Sequence, residues 1–304
     1  MRALIVLAVI GFFAQLVDGS LGMAYGVTST SLLLLAGIAP ASASAVVHLS
    51  EVGTTLVSGA AHWKFGNVDW RVVGIMAVPG GIAAFFGAHV LVSLDGDAAK
   101  PIVSTLLLGL GIYVLYRFLR LPTSRPVFTG TLRKRLLVPL AVVAGVLDAI
   151  GGGGWGPVGT PTLLASGKIA PRKVVGSIDT SEFVVALGAS LGFLTGLGAA
   201  GIDFAWVLAL LAGGVVAAPI AAWLVRHLAP RVLAVAAGGL IILTNTRTLV
   251  NTDTGQALLG PTTGAVLLWA LLAAWVVLVV WAVRRELQVR AVERSQRHTQ
   301  PVDA

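Results

Sequence analysis

Five of the 13 acidic side chains lie inside long apolar runs: Asp18, Glu51, Asp148, Asp179 and Glu182. A carboxylate at the centre of a bilayer costs about 2.5–3.5 kcal/mol on insertion scales, so five facing lipid would cost more than ~12 kcal/mol. That rivals the whole stability of a typical domain. Such groups must line a protein interior or a water-filled pathway, where buried acids commonly mark routes for ions or substrate. Spacing ties them to other polar residues. Ser44, His48, Glu51, Thr55 and Ser58 recur at steps of four and three, which places them on one face of a helix over 41–60. In the run 173–199, Asp179 and Glu182 keep the same three-residue step, and Ala186 and Ala189 continue the face with small side chains. Two readings fit: structural hydrogen bonds between helices, or a proton-coupling polar pathway built from Asp18, His48, Glu51, Asp148, Asp179 and Glu182.

The second candidate feature is a pair of glycine-rich breaks, "LVDGSLGMAYG" at 16–26 and "GVLDAIGGGGWGPVG" at 145–159. Glycine lets the backbone leave helical geometry. A helix restarting after the break presents unpaired N–H groups and a partial positive charge, an anion site that needs no lysine. The candidate substrate-binding residues are therefore Gly22, Tyr25, Gly26, Ser29 and Thr30 in the first break, and Gly152, Gly154, Trp155, Gly156 and Thr160 in the second. Pro157 suits a first helical turn, where its missing N–H costs nothing. The competing reading is that the glycines only permit close helix packing. Asp18 and Asp148 also have two readings, as acceptors for the loop amides or as binders of a proton or cation. Tyr25 and Trp155 either wall a pocket or pack.

These features need a membrane around them. The 304 residues are 57% apolar and 11% charged, with a mean hydropathy of +0.92, whereas a typical globular protein is about 25% charged. Runs that approach the ~20 residues needed to cross a bilayer cover 3–17, 20–37, 41–60, 72–93, 101–119, 136–150, 156–166, 173–199, 202–225, 231–246 and 262–283. The pair 3–17 and 20–37, split by "DG", reads as one broken hairpin, as does the pair 136–150 and 156–166, split by "GGGGW". Trp63, Trp70, Trp223 and Trp281 fall at span ends, as interfacial anchors do. The N-terminal run resembles a signal peptide, but its element returns near residue 136, so it is expected to be retained.

Several chemistries are set aside. The absence of cysteine removes disulfides and thiolate chemistry. The net charge of +8 resides in short loops, where it sets topology rather than binding nucleic acid. Residues 154–159 fit G-x-G-x-x-G without the strand–turn–helix unit that gives the motif meaning. No zinc-peptidase or nucleophile-elbow spacing occurs, so no catalytic residue, metal site or cofactor is assigned, and an enzyme is not expected.

The chain repeats itself. At an offset of 130, Asp18, Gly22, Gly26, Thr30, Leu33, Leu34 and Gly37 match Asp148, Gly152, Gly156, Thr160, Leu163, Leu164 and Gly167. At 131, Pro40, Ser50 and Glu51 match Pro171, Ser181 and Glu182. The expected units are a first repeat over 1–120, a basic cytoplasmic linker over 121–135, a second repeat over 136–250, an added helix over 262–283 and a basic tail over 284–304. By the positive-inside rule, the linker, the tail and the loops bearing Lys64 and Arg71, Lys168 to Lys173, and Arg226 and Arg231 lie in the cytoplasm. Loops 94–100, 197–203 and 247–261 lie outside, while Arg2, Lys100 and Arg247 run against the rule. Each half then holds one hairpin and three spans, an odd number of crossings, so the halves are inverted. The fold expected is an all-α, multi-pass membrane protein of two inverted repeats, each a glycine-broken hairpin plus three transmembrane helices, with one extra C-terminal helix.

The duplicated glycine motif, the basic mid-chain linker and the paired helices beginning at Pro40 and Pro171 resemble the sulfite exporter TauE/SafE family over about 1–250. The resemblance implies an inner-membrane permease for small sulfur-containing anions such as sulfite or organosulfonates. From the residues alone, a channel with an acid-lined cation pathway stands as the alternative.

Overall fold

The computed structural model describes residues 2–120, 130, 132–224 and 230–299, with side chains described except at 230 and 290–299. Among the described residues the chain is helical, with one short 3-10 turn and no strand. The first half comprises α1 (Arg2–Leu21), α2 (Tyr25–Leu35), α3 (Pro40–Lys64), α4 (Trp70–Ser93) and α5 (Gly96–Leu119). The second comprises α6 (Lys134–Gly151), α7 (Trp155–Ala165), α8 (Pro171–Leu197), α9 (Phe204–Leu224) and α10 (Pro230–Val250), and α11 (Asp253–Thr299) follows. Pro40 and Pro171 open α3 and α8, where the ring's fixed φ suits the first helical position.

Among the described residues, seven helices are long and apolar enough to cross a membrane: α1, α4, α5, α8, α9, α10 and the first part of α11. Helix α3 has the length but spends its polar face inward, burying Ser44, His48, Glu51, Thr55, Ser58 and His62. Helix α6 carries Lys134, Arg135 and Asp148 in 18 residues. Helices α2 and α7, at 11 residues each, span only about 16 Å. Large apolar side chains such as Phe13, Phe86 and Leu208 are exposed on the outside, as a lipid-facing surface requires.

Packing repeats the sequence repeat. Helix α1 lies on α9 and α6 on α4; α4 meets α8 as α9 meets α3; α2 touches α10 as α7 touches α5; α3 pairs with α8 and α5 with α10. Exchanging the halves maps this set of neighbours onto itself. Helix α11 stands outside it, held to α10 in part by the hydrogen bond that Trp275 Nε1 donates to the Val235 carbonyl at 3.2 Å.

Three boundaries differ from the sequence reading. The first hairpin does not break at Asp18-Gly19: α1 runs through both to Leu21, because Asp18 must stay helical for its carboxylate to reach forward to the restarting helix. At 20 residues α1 is also long enough to cross alone, unlike the expected run 3–17. The outer loop 247–261 is mostly helix, with α10 reaching Val250 and α11 starting at Asp253 and kinking at Gly260, φ 67°. The tail is helical to Thr299. Most of the linker with its Arg125, the basic Arg226 and the last residues, 300–304, lie outside the described residues.

Candidate functional site

The site is built from the two glycine breaks. Helix α1 ends at Leu21, Gly22 turns at φ 66° and α2 restarts at Tyr25; α6 ends at Gly151, Gly152 turns at φ 64° and α7 restarts at Trp155. Both turns occupy the left-handed region that glycine enters without steric cost. Each break is closed by the aspartate of the preceding turn. Tyr25 N donates to Asp18 Oδ1 at 3.3 Å, while Gly154 N and Trp155 N donate to Asp148 Oδ1 at 2.7 and 2.9 Å. Of the two roles open to these aspartates, the geometry displays the loop-holding one. Among the described residues, the next amides, those of Gly26, Val27 and Gly156, have no protein acceptor.

The aromatic residues at the restarts fasten them to the long central helices. Tyr25 OH donates to Ser50 Oγ at 3.0 Å, since Ser50 spends its own proton on the Val47 carbonyl. Trp155 Nε1 donates to the Ile178 carbonyl and to Ser181 Oγ at 3.1 and 3.2 Å. Both rings are fully buried, so they pack, and the repeat-matched serines of α3 and α8 receive them.

The two breaks meet directly. Thr30 Oγ1 donates to the Gly152 carbonyl at 2.8 Å, and Thr160 Oγ1 donates to the Gly22 carbonyl at 2.5 Å. A methyl group on Gly26 would lie 2.5 Å from the Gly152 oxygen, and one on Gly156 would lie 2.5 Å from Met23 Cα. Neither contact tolerates a side chain. The hydroxyls of Thr30 and Thr160, both candidate substrate-binding residues, are thus engaged across the hairpins, whereas Ser29 Oγ is buried without a partner.

Against these tips the acids gather in two groups, all between 0% and 4% exposed. In the first, one carboxylate oxygen each from Asp18, Asp179 and Glu182 lies within 4.8 Å of the others. In the second, His48 Nε2 is 3.0 Å from Asp148 Oδ2 and 3.9 Å from Glu51 Oε2. The repeat relates the groups, with His48 standing where the other half has Asp179. His48 Nδ1 faces the Ser44 carbonyl at 2.8 Å and Ser44 Oγ at 3.2 Å. Ser44 gives its own proton to the Ala149 carbonyl, so Nδ1 must carry hydrogen, and the His48 Nε2 to Asp148 contact then needs a proton between two acceptors. Both oxygens of Glu51 and of Asp179, and one each of Asp18 and Glu182, lack a hydrogen-bond partner.

The arrangement brings together every candidate residue named from the sequence: the hairpin residues at the tips, the acids and His48 beside them. Two polar residues escaped that reading. His62 extends the α3 stripe by one more step of four, donating from Nε2 to the Gly19 carbonyl at 3.0 Å; the sequence reading ended the helix two residues earlier. Gln15, three residues before Asp18, is fully buried with no partner for its amide, and its place in an apolar run was the available signal.

An all-helical, multi-pass chain with two interlocking broken hairpins and buried acids defines a membrane protein of the transporter class. The chain belongs to the TauE/SafE sulfite exporter family, whose model matches residues 7–248. It is 56% identical over 254 residues to the probable membrane transporter protein YtnM of Bacillus subtilis strain 168, covering 83% of this chain and 84% of that protein. It is 25% identical over 186 residues to the probable membrane transporter protein YdhB of the same organism, covering 60% of this chain and 76% of that one. No solved structure matches. The protein is a multi-pass membrane transporter of this family, and α11 lies beyond the matched part.

Proposed function

We propose that the protein moves small sulfur-containing anions, such as sulfite or organosulfonates, across the cell membrane, coupled to protons. Membership in a family described as sulfite exporters supports the substrate class. The observation that carries the reading is the paired tips themselves: the free amides of Gly26, Val27 and Gly156 and the unpartnered Ser29 hydroxyl form a donor set at two helix N-termini, which favours an anion. The His48 to Asp148 contact needs a proton between two acceptors, with Glu51 3.9 Å from His48, and an incoming anion can displace or accompany that proton. Closed as they are, these groups represent an occluded state; one half rocking against the other would open them alternately, as inverted repeats do.

A cation channel is the second reading, favoured by one feature: the ionisable side chains named at the centre are acids and histidines, with no lysine or arginine among them. Purified protein in liposomes, offered labelled sulfite, sulfate and a small sulfonate with and without a pH gradient, separates the two. Saturable, gradient-dependent anion uptake is expected, and Glu51→Gln and Glu182→Gln should each lower it at least tenfold while still inserting. Unchanged flux in both variants removes the acids from the mechanism, and steady cation current across a planar bilayer favours the channel.

A further inference from the structure

The two acid groups are related by the repeat but differ in charge balance. In the group around Asp148, His48 can bring a positive charge to within 3.0 Å of the carboxylate. In the group of Asp18, Asp179 and Glu182, the equivalent base is replaced by a third acid. The nearest histidine, His62, lies 3.8 Å from Asp179 Oδ2 and does not compensate. Its Nε2 donates to the Gly19 carbonyl and its Nδ1 accepts from Asn67 Nδ2 at 3.2 Å. Asn67 is held in that orientation because Nδ2 also donates to the Ala222 carbonyl. With one nitrogen donating and the other accepting, His62 is a neutral imidazole.

Three buried carboxyl groups therefore face one another, with no cationic side chain among the described residues between them. A second observation points the same way. Ser58 Oγ faces the Asp179 carboxylate, is fully buried, and meets hydrogen-bond geometry with no group. Next to it, beside Gly19, lies the equally unpartnered amide of Gln15. Every unsatisfied atom directed at this point is a hard oxygen donor, or an amide that can supply one. The three carboxylate oxygens lie within 4.8 Å of one another, so one ion between them would sit no more than about 2.8 Å from each, a small inward shift from the 2.3–2.6 Å of a hard cation–oxygen contact.

We propose that Asp18, Asp179, Glu182 and Ser58 form a sodium site, and that Na+ is a coupling ion for the transporter. This rests on the transport reading above and adds a second ion to it. A monovalent ion balances the site when two of its three carboxyl groups keep their protons, because one carboxylate then faces one Na+. Calcium takes six to eight oxygens, more than this pocket offers, and magnesium retains several waters, which the packed tips leave little room for. An ion carried in each cycle must also be released, and three carboxylates would hold a divalent ion against release.

The test measures binding without transport. Purified protein in detergent, in choline chloride buffer, is titrated with NaCl, KCl or CaCl2 while its thermal unfolding midpoint is followed. A saturable rise specific to Na+ is expected, because a ligand that binds only the native state stabilises it by mass action. The apparent Na+ affinity should fall at least tenfold in Asp179→Asn and Glu182→Gln. Ser58→Ala, which keeps every carboxyl group and is the variant least disturbing to the fold, should weaken it at least threefold. No Na+ effect beyond that of K+, stronger stabilisation by Ca2+, or an undiminished effect in Ser58→Ala and Asp179→Asn would overturn the site. Liposome flux keeps the two readings apart: Na+ binding without anion uptake sinks the transport reading alone, and anion uptake without Na+ binding sinks the sodium site alone.

Discussion

Asp148 and Asp18 occupy matched positions but do different amounts of work. Asp148 accepts two backbone amides at 2.7 and 2.9 Å and meets His48 at 3.0 Å. Asp18 accepts one amide at 3.3 Å, and its second oxygen has no partner. The difference traces to the loops. The second break has Gly153 and Gly154 where the first has Met23 and Ala24, and Ala24 is forced to φ 103°, a region that costs a residue with a Cβ roughly 1–2 kcal/mol. Asp148→Asn strands His48 as well as weakening the loop, so it should lower unfolding free energy by about 3 kcal/mol. Asp18→Asn should lower it by only about 1 kcal/mol. Chemical unfolding in detergent measures both, and equal losses would mean that the His48 contact contributes nothing. The sequence pointed to both aspartates through their offset of 130, yet could not show this asymmetry, because the backbone path of each loop decides which amides reach the carboxylate.

At the scale of elements, the hairpins are read almost directly from the sequence, since glycine clusters beside an acid have few other uses in an apolar run. What spacing cannot reveal is that the tips interlock. That contact joins residues more than a hundred positions apart, and it turns Gly26 and Gly156 from flexible positions into packing positions. A methyl group at either would meet backbone of the opposite hairpin, which cannot swing aside as a side chain can. Gly26→Ala and Gly156→Ala should each destabilise by about 1–3 kcal/mol, the usual cost of overpacking. Gly109→Ala supplies the contrast: it sits inside α5 with nothing within 4 Å of the added carbon, so helix propensity alone should make it neutral or stabilising by up to about 1 kcal/mol. A ranking in which Gly109→Ala costs as much as Gly26→Ala would show that the tips are not a rigid junction. The helix ends were less legible than the hairpins. Polar residues such as Thr252 and Asp253 look like loop in a sequence but cap helices in the structure, where Thr252 Oγ1 accepts from Gly255 N at 3.1 Å.

The whole molecule is two halves whose neighbours exchange when the halves are swapped, with α3 and α8 as the shared central pair. If each half crosses the bilayer an odd number of times, matched loops must emerge on opposite faces. The turn after α3 and the turn after α8 are such a pair; Lys64 and Arg71 flank the first, while the second carries Asp203, in keeping with a cytoplasmic and an external face. The chain has no cysteine, so single thiols can be added without background. Lys64→Cys and Ala200→Cys are both exposed positions at helix ends, where a small side chain leaves packing untouched. In intact cells, a membrane-impermeant thiol reagent should modify Ala200→Cys and spare Lys64→Cys; in inside-out vesicles the pattern should reverse. Labelling of both from the same face would leave the exchange of neighbours intact but make the halves parallel. Opening on alternate sides would then have no basis in symmetry, because a parallel pair presents the same end of each hairpin to the same compartment.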